Sequence, residues 1–410
     1  MSTSRNISSR RGFLRRTSAL TAAAAAGAAG AEDLVPAWMK QQGHPIIDPP
    51  YGQPSPFEFN VARIPFATRL LATANASLTP LQHLHGIITP SGLVFERHHG
   101  GVPDIPPDQH RLLVHGMTQR ALSFTMEDLM RFPSVSRMYF LECSGNTLSE
   151  WKSRGETVQH THGLLSCCEW TGVPLSIVLQ EVGSDPMAQW ILAEGADAAA
   201  MTRSIPMSVA MDDALLVYAQ NGEMLRREQG YPLRLFLPGI EGNASVKWLR
   251  RLKLSDTPFM TREETSKYTD LMADGKARQF SLVMDVKSVI VRPSGGQEMA
   301  GSGFVEIQGL AWSGHGRIRR LEVSTDGGKS WRDAALQKPI QSKCLTAFRL
   351  PWRWDGSAAI LQSRATDEKG NVQATRDALV AERGLNSFYH YSGIQSWHIL
   401  PGGKVENIHV

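Results

Sequence analysis

Between residues 61 and 285 short apolar runs alternate with amphipathic stretches. Arg111-Leu112-Leu113-Val114 and Leu233-Arg234-Leu235-Phe236-Leu237 have the brevity of strands, whereas Leu175 to Val182 carries apolar residues at helical spacing. Pro174 suits the first turn of that helix, where a missing N–H is not felt, and Gly183 suits its end. The texture changes past residue 285. Val286 to Val291, Phe304 to Trp312, Arg319 to Thr325 and Ala359 to Thr366 are short runs rich in β-branched residues, and Val305/Ile307 and Leu321/Val323 alternate as one-sided strands do. Asp326-Gly327-Gly328 and Lys369-Gly370-Asn371 tolerate the positive φ of tight hairpins. The pattern predicts an α+β domain over 61–285, then an all-β, immunoglobulin-like antiparallel sandwich with a C-terminal tail over 286–410. Residues 32–60, with Pro45, Pro49, Pro50, Pro54 and Pro56, predict an extended arm on the surface with no core of its own.

Residues 1–31 have a different character. Ser9-Arg10-Arg11-Gly12-Phe13-Leu14-Arg15, a weakly apolar Ala/Gly run and Ala29-Gly30-Ala31 read as a twin-arginine export signal, which predicts a periplasmic protein. The segment holds five arginines and no acid, so its removal turns the formal charge of +4 into −1. Compositional support for nucleic-acid binding goes with it. Hydrophobic residues make up 42% of the chain, enough for two cores, and outside the first 31 residues no stretch approaches the length of a membrane span. Four cysteines, two of them adjacent at Cys167 and Cys168, exclude a disulfide-built scaffold and leave at most one conventional bridge.

Phe140-Leu141-Glu142-Cys143-Ser144-Gly145-Asn146 presents a thiol at the tip of an apolar strand. Three roles are open to it: a buried structural cysteine, a nucleophile with a nearby base, or a thiolate ligand to a soft or high-valent metal. Gln82-His83-Leu84-His85 and His160-Thr161-His162 place paired imidazoles on one side of an extended segment, but with no third and fourth ligand they are read as solvated or hydrogen-bonded. Cys167 and Cys168 are read as small core residues, with a reactive pair as the minority reading, and Cys344 as a sandwich position without chemistry.

Five motifs in order carry a resemblance over nearly the whole chain after residue 31. Cys143-Ser144-Gly145-Asn146, Trp170-Thr171-Gly172-Val173-Pro174-Leu175, Pro232-Leu233-Arg234 with Pro238-Gly239, Val246-Lys247-Trp248-Leu249, and Ala311-Trp312-Ser313-Gly314 through Ser324-Thr325-Asp326-Gly327-Gly328 resemble the sulfite oxidase family of molybdopterin enzymes. The resemblance implies a catalytic domain holding one molybdenum–molybdopterin cofactor per chain and an immunoglobulin-like C-terminal domain through which two copies dimerise. Cys143 resembles the family's protein ligand to molybdenum. Arg97-His98-His99 resembles its Arg-Asn-His run beside the metal and pterin, with His98 in place of Asn. Asp197, Arg234 and Ser245-Val246-Lys247 resemble further pterin contacts, Gln229 and Ser245 standing where many members have His; Tyr268 falls where the family has its active-site tyrosine. Arg234 and Lys247 suit the pterin phosphate, while Arg97 and Tyr268 suit an oxo group or oxyanion.

Departures from the family bear on substrate. Thr147-Leu148 stand where sulfite-oxidising members have two arginines, and His390 stands where they have another. Each lost charge-assisted contact is worth about 1.5–3 kcal/mol, so free sulfite, a small dianion, should bind poorly. Glu142 to Asn146, Arg262 to Tyr268, Tyr389-His390-Tyr391 and Gln395-Ser396-Trp397 are similar to the sulfane dehydrogenase subfamily, the molybdenum subunits of the bacterial Sox system. That similarity implies oxidation of sulfane sulfur on a carrier-protein cysteine, with oxygen from water. The chain has no CxxCH for a covalent c-type haem, so no haem is expected in it, and too few cysteines for an iron–sulfur cluster beside a molybdenum ligand, so a separate electron acceptor is required. The family implies a c-type cytochrome subunit as electron acceptor. Two alternatives stand beside this reading: a sulfite dehydrogenase, and a non-catalytic carrier-binding module.

Overall fold

Strand Val135–Glu142 delivers the Cys143 loop, and its partner decides where that loop sits. It pairs antiparallel with Leu165–Pro174, Phe140 facing Cys167 and Glu142 facing Leu165. Leu165–Pro174 pairs in turn with Leu215–Gln220, which also pairs with Glu223–Met224 and Arg234–Phe236. Seven of the ten residues of the central strand are buried, among them the unbroken run Leu165 to Cys168, whose successive side chains point to both faces. A second sheet runs in the order Leu122–Phe124, Leu112–Gly116, Leu249–Ser255, Trp190–Gly195, Thr202–Pro206; only the pairing of Leu249–Ser255 with Leu112–Gly116 is parallel. Leu112, Val114, Ile191 and Leu252 of this sheet pack with Leu216 and Leu235 of the first and with helix Leu175–Glu181 into one core. Pro174 is the residue that precedes this helix, one position earlier than the sequence suggests, and Gly183 beyond its end has φ of +65°.

These coordinates are a computed structural model and describe residues 36–410 apart from 44, 48 and 67–73. Residues 1–31, read from the sequence as an export signal, lie outside the described residues. The chain divides after Phe59. Of the part before that point, Ala37–Lys40 and Pro56–Glu58 form single 3₁₀ turns and no described residue is buried.

From Lys287 onward the fold is a two-sheet antiparallel sandwich. Lys287–Arg292, Gly303–Trp312, Thr346–Trp354 and Ala335–Leu336 form one sheet; Arg332–Asp333, Ile318–Ser324, Ala359–Asp367, Ser396–Ile399 and Val405–Ile408 form the other. The β-branched runs supply the expected strands, and the last two strands fold what the sequence suggests is a tail. Trp312, Phe348, Leu361 and Trp397 fill the space between the sheets. Phe140, Leu165 and Cys167 join the same cluster, so the sandwich core continues without a break into the sheet that carries Cys143.

A buried charge pair closes this seam. Glu142 is fully buried; its carboxylate accepts from Lys287 Nζ at 2.7 Å, Trp312 Nε1 at 2.7 Å and Asn146 Nδ2 at 2.9 Å. Lys287 Nζ also donates to Thr147 Oγ1 at 3.1 Å. Lys287→Met would strand Glu142 as an unpaired buried charge and should lower stability by about 3–5 kcal/mol. Chemical denaturation measures this, and an unchanged midpoint would show that the pair does not hold the seam.

Candidate active site

One cleft of about 670 Å³ gathers Arg97, His98, His99, Cys143, Asp197, Gln229, Arg234, Ser245, Val246, Lys247 and Tyr268. Every candidate residue named from sequence lies on its wall, although these residues come from six separate stretches of chain. Cys143 enters at the end of Val135–Glu142, its N–H donating to Leu164 O at 3.0 Å and its C=O accepting from Asn146 N at 2.8 Å. Arg97 ends the short strand Glu96–Arg97, held opposite Ala76. Arg234 opens Arg234–Phe236, and Lys247 lies just before Leu249–Ser255. Gly230, at φ of +107°, allows the two to approach: a Cβ there would meet the Cβ of Arg234 and of Lys247 at 3.1 Å each.

The cations of the cleft feel carboxylates only at longer range, Glu96, Asp197 and Glu228 acting on Lys247. Among the described residues, Arg97, Arg234 and Lys247 make no ion pair. Arg234 is buried, donates to Gln229 O at 3.0 Å and Ser245 O at 3.1 Å, and leaves its Nε without a partner. Lys247 Nζ donates to Arg97 O at 3.2 Å, Glu228 O at 3.0 Å and His98 Nδ1 at 2.8 Å, and lies 4.5 Å from the Trp248 ring centroid. Burial lowers Arg234 to about 9, and burial together with the Arg234 charge pulls Lys247 well below the usual lysine range. A buried arginine with an orphaned donor, repelling a half-buried lysine beside it, is the setting an anion stabilises. The residues present therefore fit a phosphate-bearing cofactor, and Cys143 adds a sulfur donor on the same wall.

Two histidines are oriented by their neighbours. Accepting from Lys247 at Nδ1 puts the His98 proton on Nε2, which donates to Glu96 at 2.8 Å; Glu96 also pairs with Arg63. The His98 bond, aided by Arg63 and opposed by burial, draws the Glu96 carboxyl below its ordinary value, while burial depresses His98. His99 Nε2 lies 3.0 Å from the Tyr268 hydroxyl. Burial, then the Arg97 charge, lowers His99 to about 4, so it is neutral near pH 7. Burial raises the Cys143 thiol and holds the Tyr268 phenol in its protonated form.

Sequence reasoning missed a second charge cluster bordering the cleft. Arg203 is buried between Glu241 at 2.9 Å and Glu264 at 3.0 Å, with its guanidinium carbon 5.1 Å from the Tyr268 ring centroid. Glu241 also binds Asn243 Nδ2 at 2.9 Å and His390 Nε2 at 3.3 Å. Burial alone would raise the Glu241 carboxyl, but Arg203, with His390 and Asn243, outweighs it and holds the group at about 2. Glu263-Glu264 after Thr261 carried a helix-start signal that could have marked this segment, which forms helix Arg262–Thr265.

Neither departure from the family opens onto the cleft. Thr147 donates to Tyr391 O at 2.9 Å and accepts from Lys287, at the seam with the sandwich. The His390 ring is buried against Glu241, and the backbone N–H of the same residue donates to Ser144 O at 2.9 Å. The histidine pairs are not on extended segments: His83 ends the 3₁₀ turn Leu81–His83, and His160 and His162 lie on helix Val158–His162, where a spacing of two points them apart. No cluster of metal-ligating side chains occurs there or elsewhere among the described residues.

Comparison with known proteins follows the same two-part division. Residues 99–263 match the oxidoreductase molybdopterin binding domain and residues 278–396 the Mo-co oxidoreductase dimerisation domain. The crystal structure of the sulfane dehydrogenase SoxCD from Paracoccus pantotrophus superposes with a TM-score of 0.91 at 46% identity, over 94% of this chain and 100% of that one. Mitochondrial sulfite oxidase of Mus musculus is 33% identical over 301 residues, 68% of this chain and 54% of its own length. A nitrate reductase [NADPH] of Phytophthora infestans is 30% identical over 314 residues, covering 67% of this chain and 34% of that protein. The chain thus spans little more than half the length of the sulfite oxidases it matches.

Two outcomes follow from these charges. Arg234→Gln and Lys247→Gln should each weaken retention of a phosphate-bearing pterin by roughly 10- to 100-fold, the worth of one charge-assisted contact of about 1.5–3 kcal/mol; pterin content after exhaustive dialysis measures it, and undiminished content would remove both from phosphate binding. Glu241, depressed to about 2 against an ordinary 4.5, contributes stability that is present above about pH 4.5 and lost as pH falls towards 2. Glu241→Gln should flatten acid unfolding across that window, and an identical acid profile would deny Glu241 a part in it.

Proposed function

Because the chain belongs to the sulfite oxidase family of molybdopterin oxidoreductases, we propose that it oxidises sulfane sulfur carried on a protein cysteine. One observation carries the choice of substrate. Of the three lining cations, buried Arg234 and half-buried Lys247 approach one another around Gly230 and form the pair suited to a pterin phosphate, which leaves Arg97 as the cation for a substrate beside Cys143. The likeness to a sulfane dehydrogenase at 46% identity supports the same reading. A persulfide-type group carries less charge than sulfite and arrives on a peptide, so it needs fewer arginines.

A bound molybdenum centre would supply a two-electron acceptor and oxygen transfer. The protein's part is to hold and orient. Arg234, held by the carbonyls of Gln229 and Ser245, and Lys247 would grip the cofactor's anionic end, with Asp197 and Val246 on the same wall. Cys143 would give its thiolate to the metal; burial otherwise keeps that proton on, so a nearby cation is needed to release it. Neutral His99 can donate from Nε2 to the Tyr268 oxygen, which leaves the phenol O–H free for a substrate oxygen. Arg97 then meets negative charge as it develops.

The wider setting belongs to the same proposal. Electrons leave to a c-type cytochrome subunit, the chain itself carrying no haem; the sandwich pairs two copies; and the twin-arginine segment sends the protein to the periplasm. No described helix is long and apolar enough to cross a membrane. A second reading, sulfite oxidation, draws on Arg97, since a guanidinium beside the sulfur ligand suits an oxyanion.

Steady-state oxidation by the metal-replete protein separates the two. The expected result is a kcat/KM for a carrier-bound persulfide at least tenfold above that for free sulfite. A preference for sulfite overturns the proposal and adopts the second reading.

A further inference from the structure

Cys167 and Cys168 are neighbours on strand Leu165–Pro174, so they point to opposite faces of the sheet. Cys168 faces Gln220 Nε2 at 3.2 Å and Thr89 O at 3.5 Å. Cys167 faces the sandwich, where its sulfur lies 3.4 Å from that of Cys344. Cys344 precedes strand Thr346–Trp354, and the adjacent Lys343 C=O accepts from Phe140 N at 3.0 Å. Both thiols are almost wholly buried, and they come from parts of the chain separated by 177 residues. This is a meeting of two thiols across the seam between the molybdopterin domain and the sandwich, directly behind the strand that delivers Cys143.

We propose that Cys167 and Cys344 form a redox-controlled staple between the two domains. The sulfurs need to approach by about 1.4 Å to reach the disulfide length of about 2.0 Å. The oxidant is a disulfide of low molecular weight or on a protein. One cysteine, as thiolate, attacks it and forms a mixed disulfide with release of one thiol; the second then displaces the other thiol. The balance is two cysteine thiols and one disulfide going to the Cys167–Cys344 bond and two free thiols, with no net gain or loss of protons or electrons. Cys344 is the better first nucleophile, because the hydrogen bond between the two sulfurs holds it below the ordinary thiol range. A bond closing so long a loop restricts the unfolded chain strongly. It also acts in parallel with the Glu142–Lys287 pair, so its effect falls on the rigidity of the Cys143 strand rather than on the cleft's charges.

The test uses the full chain, incubated with oxidised glutathione in urea just below its unfolding transition so that the seam opens transiently. Chains are then alkylated in denaturant and digested without reductant. The expected result is a linked Cys167–Cys344 peptide in most chains, a higher unfolding midpoint in the oxidised protein, and return of the original midpoint on reduction. In Cys344→Ala the linked peptide disappears and neither oxidation nor reduction shifts the midpoint. Alkylation of both cysteines after oxidation, persistent glutathione adducts on them, or bridging of either one to Cys168 would overturn the proposal.

Discussion

Arg97, Arg234 and Lys247 converge on one cleft, and no carboxylate pairs with them among the described residues. Like charges in a buried setting repel, and the fold must offset that repulsion by other means. It does so with dipoles and with more distant carboxylates: the carbonyls of Arg97, Glu228, Gln229 and Ser245 and the Nδ1 of His98 accept from Lys247 and Arg234, while Glu96, Asp197 and Glu228 act on Lys247 through space. None of these contacts is an ion pair, so no direct carboxylate contact blocks the approach of an anion to these cations. Arg203, bordering the cleft, shows the opposite arrangement. Two glutamates pair with it, its charge is neutralised where it stands, and its part is to support the Tyr268 ring and the Glu241 turn.

The cleft owes its geometry to the second domain as well. Glu142 is one residue from Cys143, yet its carboxylate is bound by Lys287 and Trp312 of the sandwich. A shift of the sandwich therefore moves the backbone that carries the sulfur. Phe140 and Cys167 extend the apolar part of the same contact, and Thr147 and His390 tie the loop after Cys143 to the C-terminal segment. Binding an anion in one half and packing the sandwich in the other are thus physically joined through a single strand end.

Much of this was legible in the sequence because it is local. The Cys143 turn, the Arg97-His98-His99 run and the Ser245-Val246-Lys247 segment are short motifs, and each lies on the cleft wall. The sandwich strands could be read from β-branched runs and glycine turns. The pairings across the chain could not: nothing in the neighbourhood of Glu142 names Lys287, and nothing near Arg203 names Glu241 and Glu264. Thr147 and His390 were legible as lost arginines but not as residues facing the seam, since composition records a missing charge without its direction. The paired histidines show the same limit, for a spacing of two has one meaning on a strand and another on a helix.

Molybdenum-edge X-ray absorption on the metal-replete protein and on Cys143→Ser tests the central claim most directly. About one molybdenum per chain, whose sulfur shell has one scatterer fewer in the variant, is the result expected if the cationic cleft holds a pterin cofactor and Cys143 supplies the metal's protein ligand. A native protein matured without molybdenum, or a sulfur shell unchanged by the substitution, would contradict it.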